Sequence, residues 1–177
     1  PTPWLITLDS SVSVTFLFGM VVFWRLWAKR FPEPDEMGKL TIGAFVAVSG
    51  AACLAVGAIT AEAAGTQVSL WWCVAFHVLN SIAFANMMPV SLALYARAAP
   101  AAIGGTIIGV YYLHLVAGNQ IVGILGTWLE RMPASQLWLI HTGIAAGAAV
   151  LLLLVGRVFA AWLSPEAVGA RTNGAGA

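Results

Sequence analysis

Five apolar runs, each long enough to cross a bilayer, constrain this chain more than any single residue does. They lie near Leu5–Ala28, Leu40–Thr60, Val68–Ala96, Ala102–Trp128 and Gln136–Leu163. A membrane-spanning helix needs roughly 20 residues, and continuous runs of this length read as helices rather than as alternating barrel strands. The connections are short and carry turn chemistry: Arg30 to Glu36, Glu62 to Gln67, Ala98-Ala99-Pro100, and Glu130 to Pro133. The pattern predicts an all-α integral membrane protein, with a five-helix transmembrane bundle over residues 1–164. The Gly/Ala-rich tail over residues 165–177 is expected to be disordered and cytoplasmic.

Composition agrees with that class. Of 177 residues 60% are hydrophobic and only 8% charged, against roughly 25% charged in a soluble domain. The mean hydropathy is +0.90. A net charge of +1 supplies neither a basic surface for nucleic acid nor an acidic tail. GxSxG, P-loop and HExxH motifs and close carboxylate pairs are missing, so neither catalysis nor a cofactor is expected. Cys53 and Cys73 sit in different spans and are expected to be reduced packing residues, since a buried thiol behaves as a small hydrophobe.

Charge placement orients the bundle. Arg25, Lys29, Arg30, Lys39, Arg97, Arg157 and Arg171 fall on one side, and only Arg131 on the other. The positive-inside rule places the basic side in the cytoplasm. Five spans with a cytoplasmic C-terminus leave residue 1 outside, in the cell (inner) membrane. The chain opens Pro1-Thr2-Pro3-Trp4, without a start Met or an export signal. Preceding helices are therefore expected, and the chain reads as the C-terminal piece of a larger membrane protein.

Within the spans, polar groups and helix breakers mark where function would sit. Pro89 lies deep in the third run. It removes a helical hydrogen bond and is expected to kink the helix. Such a break is tolerated in lipid only against protein or a wet cavity, and on its own fits either a bent packing helix or a transport path. Asp9, His77, His114 and His141 are among the ionisable side chains inside spans, joined at depth by Asn80, Asn86, Asn119 and Gln120. His114, near the middle of the fourth run, is a candidate proton relay because histidine titrates near neutral pH; the alternative is a neutral ring donating to a carbonyl. The three histidines show no metal-ligand spacing, so no metal site is expected.

Small residues mark helix contacts. Gly43, Gly50 and Gly57 recur every seventh position in the second run, and Gly105/Gly109 and Gly143/Gly147 form GxxxG pairs in the fourth and fifth. All are expected to seat neighbouring helices. Gly105, Gly109, Tyr112, Asn119 and Gly123 share one face of the fourth helix, which could pack a neighbour or line a cavity.

Four segments together resemble the C-terminal part of the proton-dependent oligopeptide transporters, a branch of the major facilitator superfamily. Trp4-Leu5-Ile6-Thr7-Leu8-Asp9-Ser10 is similar to that family's entry to its eighth helix. Gly38-Lys39-Leu40-Thr41-Ile42-Gly43 resembles the start of the ninth, and Pro89-Val90-Ser91-Leu92 to Arg97-Ala98-Ala99-Pro100 the tenth. Gly109-Val110-Tyr111-Tyr112-Leu113, with Gly118-Asn119 and Gly123, resembles the eleventh. The resemblance implies helices eight to twelve of that fold, starting outside and ending in the cytoplasm.

It also implies a role: part of a secondary active transporter, a proton-coupled symporter of di- or tripeptides or a related amine-bearing solute. The missing N-terminal helices, protons, the solute and the bilayer are then its partners, and the piece alone is not transport-competent. Asp9, Phe84, Asn86, Met88, Tyr111 and Tyr112 are the implied substrate-binding positions, with Asp9 and His114 the proton-coupling candidates. Phe84 stands where the family carries a glutamate, Asp9 where it carries asparagine, Tyr111 where it carries tryptophan, and Met88 where it carries serine. The expectation is that Asp9 supplies the negative charge that Phe84 does not, while Phe84 offers an aromatic face to an amine. The competing class is a non-transporting membrane protein, either a scaffold or assembly subunit or a degenerate transporter remnant.

Overall fold

The computed structural model describes residues 2–163, so the 165–177 tail lies outside the described residues. Helices α1 (Thr2–Trp27), α2 (Glu36–Ala64), α3 (Leu70–Ala98), α4 (Gly104–Gly126) and α5 (Ala134–Leu163) follow one another, with 3-10 turns at Ala101–Ile103 and Thr127–Glu130. There is no strand among the described residues. All five helices contain segments long and apolar enough to cross a membrane, making this an all-helical, multi-pass membrane protein.

Helix ends follow local chemistry beyond the apolar runs. Helix α2 begins a turn before Leu40 because the Asp35 carboxylate accepts the Gly38 N–H at 2.7 Å. It ends in a Schellman turn: Thr66 N–H bonds the Ala61 carbonyl at 2.9 Å, and Gly65 N–H the Glu62 carbonyl at 3.2 Å. Gly65 has φ +63°, a left-handed conformation that costs glycine little. Helix α3 continues through Pro89 as a single element.

Helix α2 is the hub, packed along both α3 and α5, whereas α1 and α4 make their main contacts with α3. Its buried faces are made of small residues, among them Gly43, Ala51, Ala55, Ala58 and Ala61. They let neighbouring backbones come close enough for dispersion to hold the helices together. Ala83 of α3 and Ala149 of α5 are likewise buried. Toward the Arg97 end, a cluster of Met37, Leu40 and Leu94 closes the interior.

Polar contacts pin the two ends of α2. At one end the Glu36 carboxylate receives Arg97 from α3 at 2.7 Å. At the other the Glu62 carboxylate accepts from Ser135 N–H and Oγ, at 2.9 and 2.5 Å, at the N-terminus of α5. These contacts put Arg25, Lys39, Arg97 and Arg157 at one end of the bundle and Glu62, Glu130 and Arg131 at the other. Cys53 and Cys73 are unbridged thiols, with Cys53 Sγ 3.9 Å from the Trp72 carbonyl.

The glycine expectations divide. Gly43 and Gly57 meet α3 closely, but Gly105, Gly109, Gly143 and Gly147 have nothing within 4 Å of an added Cβ among the described residues. The reason is rotational: α5 turns Ala149 and Gly156 toward α2, and the Gly143/Gly147 pair lies about 200° away around that helix. On α4, only the side bearing Tyr111 and Leu125 is covered.

A methyl at Gly57 would stand 2.6 Å from Trp72 Cγ, while one at Gly50 would sit at ordinary contact distance, 3.5 Å from Leu79 Cβ. Gly57→Ala should therefore lower stability by about 1–3 kcal/mol through overpacking. Gly50→Ala, in the same seven-residue register, should be tolerated. Thermal unfolding of the two variants in detergent checks the contrast.

Candidate functional site

Helix α3 carries two differently built faces. Stepping by three and four residues from Phe84 gives Met87, Met88 and Ser91, which turn toward α4. The same spacing on α4 gives Tyr111, His114 and Leu115. These residues, with Ala83 and Asn80 of α3 and Ala47 of α2, line a cleft of about 260 Å³.

Tyr111 anchors the cleft. It is buried, its hydroxyl lies 2.8 Å from Ser91 Oγ, and Ser91 Oγ also donates to the Met88 carbonyl at 3.1 Å. The His114 ring stands 4.6 Å from the Tyr111 ring, edge to face, and its Nδ1 meets the Tyr111 carbonyl one turn back. With Nδ1 directed at the backbone, Nε2 is the nitrogen left for other chemistry. The Tyr95 ring lies 5.1 Å from that of Tyr111, tilted by 58°. The lining is aromatic, aliphatic and thioether, with polar groups from Asn80, Ser91, Tyr111 and His114 and no carboxylate among the described residues that form it.

Of the residues predicted for the site, the structure gathers Phe84, Met88, Tyr111 and His114 around this one cleft. Tyr112 stands outside it, 41% exposed, with its ring against Tyr111. Asn86 is on the opposite face of α3 and is buried, its Oδ1 accepting Trp24 Nε1–H at 3.0 Å. Its Nδ2 donates to the Ile82 carbonyl at 3.2 Å. Asn86 thus ties α3 to α1, a bond supplemented by Ser13 Oγ to Ser81 Oγ at 3.2 Å. The side chain of Asp9 lies outside the described residues. Ala47, Asn80, Ala83, Met87, Ser91 and Leu115 are cleft residues that the sequence reading did not select for the site, although the periodicity from Phe84 points to Met87 and Ser91.

No group of three or more metal-ligating side chains stands together among the described residues. His77 lies beside Phe76, and His141 Nδ1 faces the Leu137 carbonyl at 3.0 Å, both remote from His114.

Five helices long and apolar enough to cross a membrane, with a small cleft between α3 and α4 lined by aromatic side chains, methionines and His114, define a multi-pass membrane protein. The chain belongs to the POT family, whose match extends over residues 4–144. Among curated proteins it is 25% identical over 163 residues to the peptide transporter YePEPT of Yersinia enterocolitica, covering 88% of this chain and 31% of that protein. It is 34% identical over 104 residues to dipeptide and tripeptide permease A of Proteus mirabilis, covering 59% of this chain and 20% of that protein. The chain thus spans about a third or less of the length of these relatives. No solved structure matches it significantly.

The Ser91–Tyr111 contact is the polar link seen between α3 and α4, and its strength can be measured. Interhelical hydrogen bonds in membrane proteins average about 0.6 kcal/mol. Tyr111→Phe and Ser91→Ala should each destabilise by roughly that amount, and the double variant by little more than either. Strictly additive losses in thermal unfolding would show that the two hydroxyls are not coupled.

Proposed function

We propose that this chain forms the C-terminal part of a proton-coupled symporter of di- and tripeptides. The observation that carries the reading is the α3–α4 cleft, which gathers Phe84, Met88, Tyr111 and His114 in a chain of the POT family. The names of its relatives, a peptide transporter and a dipeptide and tripeptide permease, support the solute class. The basic ends of the helices face the cytoplasm in this reading, and residue 1 faces outward across the inner membrane.

The cleft chemistry suits part of a peptide rather than a whole one. Phe84 is 43% exposed and offers its ring face to an α-ammonium group. Tyr111 presents a hydroxyl whose proton goes to Ser91 Oγ, because the Ser91 hydroxyl already donates to the Met88 carbonyl, and its oxygen is left to accept from a peptide N–H. His114 is the proposed proton relay of the cleft, with Nδ1 turned to the Tyr111 carbonyl and Nε2 left for the relay. Asp9, on α1, is the second proton-coupling candidate and the carboxylate proposed to supply the charge that Phe84 does not. Alternating access requires two bundles rocking about a shared midplane site, so residues 1–177 act with the helices that complete the transporter.

The test is uptake of a labelled dipeptide by the full-length protein in proteoliposomes, with and without an inward proton gradient. Uptake should rise as the external pH falls and should be competed by unlabelled tripeptide. Asp9→Asn should abolish gradient-driven uptake, and His114→Gln should lower it at least tenfold while leaving counterflow exchange active. Gradient-driven uptake that survives both substitutions unchanged would remove Asp9 and His114 from the coupling path. Absence of dipeptide uptake by the wild type would reject the solute class.

A further inference from the structure

A second, larger cavity lies across α3 from the cleft. It is a groove of about 560 Å³ walled by α1 and α2 and floored by Ile82 and Asn86 of α3. Phe16, Gly19, Phe23 and Trp27 line it on one side and Ile42 and Val46 on the other. The one polar side chain in its lining apart from the indoles is Asn86, whose amide is already engaged by Trp24 and the Ile82 carbonyl. The groove therefore offers an occupant almost no hydrogen bond, and what fills it must be hydrocarbon.

Its length and its ends narrow the choice. From Phe16 to Trp27 the α1 wall rises about 16 Å at 1.5 Å per residue. That is about half of a hydrocarbon core some 30 Å thick, the depth of one leaflet. Trp27 and Pro34 line the groove's end at the α1–α2 connection, with Trp24 one turn further in. Trp27 Nε1 is bonded to the Pro32 carbonyl at 3.2 Å, and indoles of this kind favour the headgroup level. Lys39 Nζ lies 5.3 Å from the centre of the Trp24 ring, and Arg25 and Lys39 line the adjoining cleft beyond that indole. Lys39 also contacts the Glu33 carboxylate, which is exposed. Lys29 and Arg30 follow directly in the same connection.

We propose that this groove is a phospholipid site, holding one acyl chain between α1 and α2 with an anionic headgroup at Lys39 and Arg25. The protein leaves the space open: an added Cβ at Gly19 meets nothing within 4 Å. Helix α1 has its main contact with α3 alone, so the acyl chain would supply the missing packing on its α2 side. A polar or peptide ligand is disfavoured here by the same saturation of Asn86 that admits a chain.

The test uses the full-length protein in bilayers of mixed phosphatidylglycerol and phosphatidylcholine, followed by gentle detergent extraction and native mass spectrometry. The wild type should retain phospholipid with a roughly fivefold preference for phosphatidylglycerol, the size expected of the one net positive charge that Lys39 and Arg25 leave beside Glu33 in the same cleft. Gly19→Leu fills the groove with a better helix-forming residue and should abolish retention without loss of fold. Lys39→Gln should keep retention but erase the preference for the anionic lipid. Equal retention by wild type and Gly19→Leu overturns the proposal. So does a wild type that retains no lipid, the result expected if a protein helix occupies the groove.

Discussion

The close approach of backbones along α2 is the constraint on which the other helix positions depend. In hydrocarbon no solvent drives helices together, so association must come from surfaces that fit at short range. Helix α2 provides them on two sides with glycine and alanine, and Trp72, Met87 and Ala83 of α3 close into its hollows. Helices α1 and α4 reach the bundle chiefly through α3. An error in the α2–α3 spacing would therefore pass directly into both cavities that flank α3.

That arrangement explains how much could be read from residues alone. The number and approximate limits of the helices follow from apolar runs, because the bilayer imposes a length and a solvent that sequence must obey. Helix α2 outruns its apolar run because Asp35 caps it, a local signal that hydropathy does not register. The seven-residue glycine repeat foretold a real contact, since seven residues return close to the same face. The GxxxG pairs of α4 and α5 have the same composition but no partner among the described residues. Small residues state that a close approach is possible; they do not say which neighbour makes it.

Site residues show a similar division. Phe84, Met88, Tyr111 and His114 converge because each lies at helical spacing on facing sides of α3 and α4. Asn86 is two residues from Phe84, about 200° around the helix, so the two cannot share a face. Its role in joining α1 required knowledge of Trp24, which is 62 positions away in sequence. Tyr112 leaves the cleft for the same reason, one step of rotation beyond Tyr111. The expectation that a glutamate is replaced by Phe84 rests on the sequence resemblance alone. What it substitutes chemically depends on the ring's exposure, which only the packing reveals.

One turn of α3 holds a mechanical consequence. Asn86 is fastened to α1 through Trp24, and Ser91 is fastened to α4 through Tyr111. Pro89 stands between those two anchor points, where its ring leaves the Ala85 carbonyl without its usual helical donor. That joint is thus flanked by a strut on each side. Bending at Pro89 would shift one attachment relative to the other, coupling the shape of one helix to the spacing of two others.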